Sequence, residues 1–116
     1  MAGAFDGIGV IDFTQGRAGP YAGMLLAEQG ADVIKVEPPG GDRARGTPAF
    51  HVLNRSKRGV ALDLARPEGR AKARELAATA DVVVVRPERR GRAGPRWNEF
   101  AILRVRELAA MLSAVS

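Results

Sequence analysis

Short apolar segments alternate with amphipathic segments over the first 85 residues. Buried strands rich in β-branched residues are predicted at 8–13, 33–36, 59–64 and 82–85. A helix is predicted over 20–29, beginning at Pro20, and a second from Pro67, where small and apolar residues recur at helical spacing. Strands that alternate with helices predict an α/β fold with a parallel sheet.

Two segments break this alternation. Residues 37–53, rich in Pro, Gly, Arg and Asp, predict a long loop, and a loop of that length is usually functional or mobile. Residues 86–96 read RPERRGRAGPR and have neither strand nor helix period. A helix is predicted over 98–113, capped by Asn98. We therefore divide the chain into a body, residues 1–85, and a basic tail, residues 86–116.

Composition excludes several kinds of site. The chain has 116 residues, 46% of them hydrophobic, with no Cys and one His. Disulfides, thiolate metal ligands, a Cys nucleophile and sites built on two imidazoles are thereby excluded, and no metal site is expected. No apolar run approaches the ~20 residues of a membrane span, and no basic segment precedes Asp6, so a cytoplasmic location is expected.

The net charge of +5 belongs mostly to the tail. Residues 1–85 hold eleven basic against ten acidic side chains, whereas residues 86–116 hold seven Arg against three Glu. An arginine-rich tail favours polyanions electrostatically, so a non-catalytic polyanion-binding module is one alternative. No aromatic residue lies among residues 86–96, so base stacking is not expected there and nucleic acid is not the expected partner.

The first candidate site is the turn Thr14-Gln15-Gly16-Arg17-Ala18-Gly19. It joins a predicted strand to a predicted helix, whose first N–H groups have no intrahelical partner and favour an anion. Arg17 adds a full positive charge. The dinucleotide fingerprint GxGxxG is absent, so the pattern indicates either a site for a phosphate-bearing ligand or an ordinary strand-to-helix turn.

Charged residues around the second strand are weaker candidates. Glu37 ends that strand, where an acid can bind a ribose hydroxyl, although a solvated carboxylate near Lys35 is the favoured interpretation. Local ion pairs are predicted for the charged residues of the long loop, Asp42, Arg43 and Arg45.

A basic cluster, Arg55, Lys57 and Arg58, precedes the third strand. The sequence allows either a phosphate site or a solvated loop at these three residues. His51 has no partner motif, which favours a structural or exposed side chain.

Three stretches of the sequence resemble the N-terminal region of family III CoA-transferases, which include formyl-CoA and carnitine CoA-transferases and α-methylacyl-CoA racemase. They read GIGVIDFTQGRAGPYAGMLLAEQGADVIKVEPPGGDRARG (7–46), NRSKRGVALDLARPEGR (54–70) and ELAATADVVV (75–84).

The resemblance implies a Rossmann-like CoA-binding sheet with flanking helices, an interlocked homodimer, and CoA transfer between an acyl-CoA and a carboxylic acid. In such enzymes an aspartate carboxylate attacks the thioester, giving a mixed anhydride and then an aspartyl-CoA thioester. CoA and acyl-CoA are substrates, and no permanently bound cofactor is implied. Racemase chemistry is the alternative within the same family.

Two CoA-contacting stretches carry over from the resemblance, and they contain Arg17 and Ala18, then Leu62, Asp63, Leu64 and Ala65. The chain also departs from the family pattern. Pro38 stands where some members place a CoA-binding Arg, and Ala65 stands where a Lys is frequent, although Arg66 follows it.

Beyond Val85 the family motif DVVVENFRPG is replaced by DVVVVRPERRG, and no Asp follows Asp81. No catalytic residue can therefore be assigned on this chain. We interpret it as an N-terminal fragment that is inactive alone, with a sheet incomplete relative to the family. A frameshift or a truncated gene is our hypothesis for the tail. The last strand's edge is expected to be exposed unless the tail covers it.

Overall fold

The computed structural model describes residues 3–85 and the backbone of residues 101–104. Its elements, in chain order, are β1 (Gly9–Asp12), α1 (Ala18–Glu28), β2 (Asp32–Glu37), α2 (Pro48–Leu53), β3 (Arg58–Ala61), α3 (Pro67–Ala78), β4 (Val82–Val85) and β5 (Ala101–Arg104). The strands form one sheet in the order β3-β2-β1-β4-β5. Strands β1 to β4 pair in parallel, and β5 pairs antiparallel to β4. The predicted α/β fold, a parallel sheet with flanking helices, is confirmed.

Consecutive strand residues point to opposite faces of the sheet, and helices cover both faces. On one face, Ile11, Val36 and Val83 of the sheet pack against Ala77 near the end of α3 and Ala80 just after it. The other face packs against α1, where Leu26 contacts a cluster of Val10, Val33, Val84 and Ala31. No helix within residues 3–85 is long and apolar enough to cross a bilayer.

Two helical boundaries differ from those predicted. Helix α1 begins at Ala18 rather than Pro20, and the amide of Tyr21 donates to the Arg17 carbonyl at 2.9 Å. Pro20 thus falls in the first turn, where its missing N–H has no partner to lose. The predicted loop 37–53 contains α2, which starts at Pro48 after Thr47 accepts a hydrogen bond from the Phe50 amide. A Thr-Pro helix start was the signal for α2 in the sequence.

The predicted helix over 98–113 is wrong for residues 101–104, which form β5. The remaining residues of that prediction, including Asn98, lie outside the described residues. Without β5, the outer edge of β4 would present unpaired N–H and C=O groups. The antiparallel register, from Val82 opposite Arg104 to Val85 opposite Ala101, satisfies them. Edge pairing of β4 therefore outweighs the weak helical period of this segment.

Candidate functional site

The turn between β1 and α1 leads into a helix N-terminus and contains the predicted site residues Arg17 and Ala18. Thr14 is buried, Gly16 has φ +88°, and Arg17 is exposed at the N-cap of α1. Gly16 is needed because residues with a Cβ rarely adopt that backbone conformation. No side chain caps the helix, so its first N–H groups remain available to a ligand beside Arg17 and Ala18.

A buried carboxylate holds the start of this turn. Asp12, which is fully buried at the end of β1, accepts hydrogen bonds from the Thr14 amide at 2.8 Å and from the Thr14 hydroxyl. Its other oxygen accepts from Lys57 Nζ at 2.9 Å. The Lys57 and Asp12 side chains are only 2% and 0% exposed. Asp12 is therefore committed to structure and has no oxygen free for a ligand.

Burial lowers the pKa of Lys57 below its ordinary value of 10.5. The Asp12 carboxylate opposes that effect through attraction and a hydrogen bond, while the nearby Lys35 ammonium adds to it and Asp42 opposes it. Removing an ammonium from water disfavours its charged form, whereas a paired carboxylate restores part of the loss.

A second buried ammonium reaches the turn from β2. Lys35 Nζ donates to the Thr14 carbonyl at 2.9 Å and lies 2.9 Å from Asp42 Oδ2. The latter contact has the distance but not the direction of a hydrogen bond, so it is an ionic contact. The ammonium groups of Lys57 and Lys35 thus contact the segment Asp12–Thr14 at its first and last residues.

Glu37 is not the solvated carboxylate expected from the sequence. It is 6% exposed, and both carboxylate oxygens accept hydrogen bonds from Arg45, with Nη2 at 2.9 Å. The same guanidinium lies 4.7 Å from the Phe50 ring centre. Because both oxygens are engaged, a ribose-binding role for Glu37 is not favoured either. The local ion pairs predicted in the long loop are present for Asp42 and Arg45.

The basic cluster Arg55, Lys57 and Arg58, whose last member begins β3, consists of ion pairs. Arg55 pairs with Glu28, Lys57 with Asp12, and Arg58 with Asp32. All three cations are thus paired with carboxylates, so the phosphate-site alternative is not supported, and the solvated-loop alternative fails for the buried Lys57.

The second predicted CoA-contacting stretch follows β3, which ends at Ala61 rather than Leu64. The Leu62 amide donates to the Glu37 carbonyl at 2.9 Å, and Asp63 accepts from the Ala65 amide at 3.0 Å in a tight turn. Leu64 is exposed. Because β1, β2 and β3 are parallel, this stretch and the Arg17 turn both lie at the carboxyl end of the sheet, on either side of β2.

His51 is exposed, as predicted, and its ring packs edge-on to Phe50 with centres 5.5 Å apart. In the part of the chain that the structure describes, no three His, Cys, Asp or Glu side chains are grouped as metal ligands would be.

Sequence reasoning missed the buried charges beneath the candidate turn. Asp12 and Lys35 each stand within an apolar strand, and a charged residue there is rarely buried without a partner. That placement was the available signal. Lys57 gave none, because NRSKR has the composition of an exposed loop.

Comparison with known proteins identifies the family. Residues 5–101 match CoA-transferase family III, so the match extends past residue 84, where the motifs quoted above end. Succinyl-CoA:mesaconate CoA-transferase of Haloarcula hispanica is 46% identical over 95 residues, covering 71% of this chain and 24% of the relative. Formyl-CoA:oxalate CoA-transferase of Rhodopseudomonas palustris strain TIE-1 is 38% identical over 124 residues, covering 97% of this chain and 29% of the relative.

Solved structures agree with the sequence relatives. A crystal structure of a hypothetical protein from Mycobacterium tuberculosis matches with a TM-score of 0.68 and 46% identity, covering 71% of this chain and 25% of that one. A CAIB/BAIF family protein from Brucella suis matches with a TM-score of 0.67 and 41% identity, covering 72% and 25%. The chain spans about a quarter of the length of the curated relatives it matches. By sequence and by fold, the chain belongs to CoA-transferase family III.

Proposed function

We propose that this chain supplies a CoA-binding region of an acyl-CoA:carboxylate CoA-transferase. The observation that carries the proposal is the Thr14–Arg17 turn, which leads from the carboxyl end of β1 into the uncapped N-terminus of α1. Ligands of open parallel sheets bind beyond the carboxyl ends of the strands. Free N–H groups together with the Arg17 guanidinium suit the phosphate groups of CoA.

The stretch after β3 supports contact with a second part of the same ligand. This stretch lies at the carboxyl end of the sheet, as Arg17 and Ala18 do, and consists of Leu62, Asp63, Leu64 and Ala65. The Asp63 carboxylate shapes this turn through the Ala65 amide, and the exposed Leu64 offers apolar surface. We propose that the phosphates bind at Arg17 and Ala18, and that less polar parts of CoA bind along this stretch.

The proposed reaction partners are an acyl-CoA and a carboxylic acid. Relatives named as succinyl-CoA:mesaconate and formyl-CoA:oxalate CoA-transferases support that class of substrate. CoA enters as a substrate, and we propose no permanently bound cofactor. A homodimer and a cytoplasmic location are proposed with the activity.

We propose that this chain by itself binds CoA without transferring it. An aspartate can act as the nucleophile only if its carboxylate is free to reach the thioester. Of the six aspartates of the described body, five are engaged in ion pairs or hydrogen bonds, namely Asp12, Asp32, Asp42, Asp63 and Asp81. The sixth, Asp6, precedes β1 and so lies at the opposite end of that strand from the candidate turn. Purified chain should therefore show no exchange of labelled CoA between acyl donors and acids, and measurable exchange would refute this part of the proposal.

Calorimetric titration of the full chain with CoA tests the binding site. Arg17→Ala should weaken CoA binding about tenfold, because it removes a charge-assisted hydrogen bond. The matched control is Arg74→Ala, which removes an exposed arginine from the middle of α3, outside both proposed CoA-binding stretches, and should leave the affinity unchanged. Adenosine 3′,5′-diphosphate should compete with CoA more strongly than pantetheine, which carries none of the phosphates proposed to bind at Arg17 and Ala18. Equal affinities of the wild type and Arg17→Ala would overturn the assignment.

A further inference from the structure

One ammonium group joins the two ends of the candidate CoA turn. Lys57 Nζ donates to Asp12 Oδ2 at 2.9 Å, just before the turn, and to the Pro20 carbonyl at 2.8 Å, just after it. Its third donor reaches Asn54 Oδ1 at 2.8 Å. Arg17 and its neighbouring N–H groups lie between the two tethered ends, so their position depends on a side chain 45 residues from Asp12.

The surroundings of Lys57 show a tether rather than a ligand-binding group. Its three N–H donors have three protein acceptors, and its side chain is almost fully buried. Gly23 leaves the space for it, since a Cβ there would lie 3.1 Å from Lys57 Cε and 2.9 Å from Asp12 Oδ2. Lys57 is therefore closed to a substrate and acts on the turn only through Asp12 and α1.

We propose that Lys57 is a positioning residue for CoA binding: by joining Asp12 to the Pro20 carbonyl, it sets the direction of the α1 N-terminus and of Arg17 toward the phosphates. This inference rests on the proposed CoA-binding function. The physical reason is that a binding group displaced by even an ångström loses much of its effect.

Two variants separate positioning from stability. Lys57→Met leaves Asp12 as an unpaired buried carboxylate, and so it loses both the tether and stability. The double variant Asp12→Asn/Lys57→Met removes both charges and should be more stable than Lys57→Met alone. If Lys57 positions the turn, both variants should bind CoA about tenfold more weakly than the wild type. The matched control Arg58→Met, which removes an exposed cation next in the chain, should bind CoA like the wild type.

The double variant decides the proposal. Wild-type affinity in a stably folded double variant would show that Lys57 only supports the fold, and would overturn the inference. Arg17→Ala added to the double variant should cause a smaller loss than in the wild type, because the turn is already displaced. A full further loss on adding Arg17→Ala would also count against positioning.

Amide hydrogen exchange tests the tether without CoA. In the double variant, the amide of Tyr21, which donates to the Arg17 carbonyl in the turn, should exchange about tenfold faster, while the Leu62 amide should be unaffected. If the wild type binds no CoA, the proposed function fails and exchange alone decides the positioning role. Faster exchange confined to the turn supports that role, and unchanged rates overturn it.

Discussion

Two neighbouring cations, Lys57 and Arg58, make ion pairs of opposite character. The Arg58–Asp32 pair is the shorter, at 2.6 Å against 2.9 Å for Lys57–Asp12. Its side chains are 67% and 61% exposed, whereas those of the Lys57 pair are 2% and 0% exposed. Water and salt screen the first pair, while the second is held away from solvent. Burial rather than distance therefore decides what each pair contributes to folding and to the candidate site.

The largest expected effect comes from breaking the buried pair. Lys57→Met should lower the free energy of unfolding by about 3–5 kcal/mol, because an unpaired carboxylate remains buried. Urea denaturation of the full chain measures this change. A loss as small as that of an exposed pair would show that Asp12 finds water or another partner, and the contrast between the two pairs would disappear.

Space around the buried pair gives the second prediction. A Cβ at residue 19 would overlap the Thr14 side chain, which is bonded to Asp12. Gly19→Ala should lower the free energy of unfolding by about 1–3 kcal/mol, although Ala is the better helix former. The control is Gly59→Ala, where an added Cβ meets nothing within 4 Å and stability should stay within about 0.5 kcal/mol. Equal effects at the two positions would contradict the tight packing described for the turn.

The exposed pair should contribute little. Arg58→Met is expected to change the free energy of unfolding by about 0–1 kcal/mol, and the change should shrink further in high salt. Urea denaturation at low and high ionic strength provides the measurement. A large, salt-insensitive loss would mean that Arg58 is as important to the fold as its buried neighbour.

The pH dependence of stability gives the smallest expected effect, because the Asp12 carboxylate offsets part of the lowering of the Lys57 pKa that burial causes. Because the pKa of Lys57 is lowered in the folded state, the unfolded chain binds more protons between that pKa and 10.5. The stability of the wild type relative to Lys57→Met should therefore rise with pH across this window and level off above it. Urea midpoints of both proteins at several pH values test the sign, and a difference that falls with pH would contradict it.

The regular part of the fold could be predicted because its residues repeat a simple pattern. Apolar runs such as Val82–Val85 and the glycine turn before α1 carry local signals for a strand and a helix start. The α/β class and the location of the Arg17 turn followed from those signals. The exposed edge of β4 was expected from the sequence, but strand β5 as its partner was not, because the local spacing of residues 101–104 fits a helix and their pairing with β4 arises only in the assembled sheet.

The buried charges of the site could not be predicted for a related reason. Composition treats Lys57 as a surface residue, and its burial depends on contacts with Asp12 and Pro20 from distant parts of the chain. Likewise, Glu37 was expected in solvent because the sequence does not show that Arg45 folds back onto it. Patterns along the chain report local geometry, whereas these pairings require the tertiary structure.

The tether from Lys57 also has a consequence for the order of events during protein synthesis. Strand β1 and helix α1 leave the ribosome well before residue 57 does, so the hydrogen bonds from Lys57 to Asp12 and to the Pro20 carbonyl form only after that lysine arrives. A nascent chain stalled short of residue 57 would therefore carry the Thr14–Arg17 turn without the two hydrogen bonds that Lys57 supplies, however complete the helix that follows it.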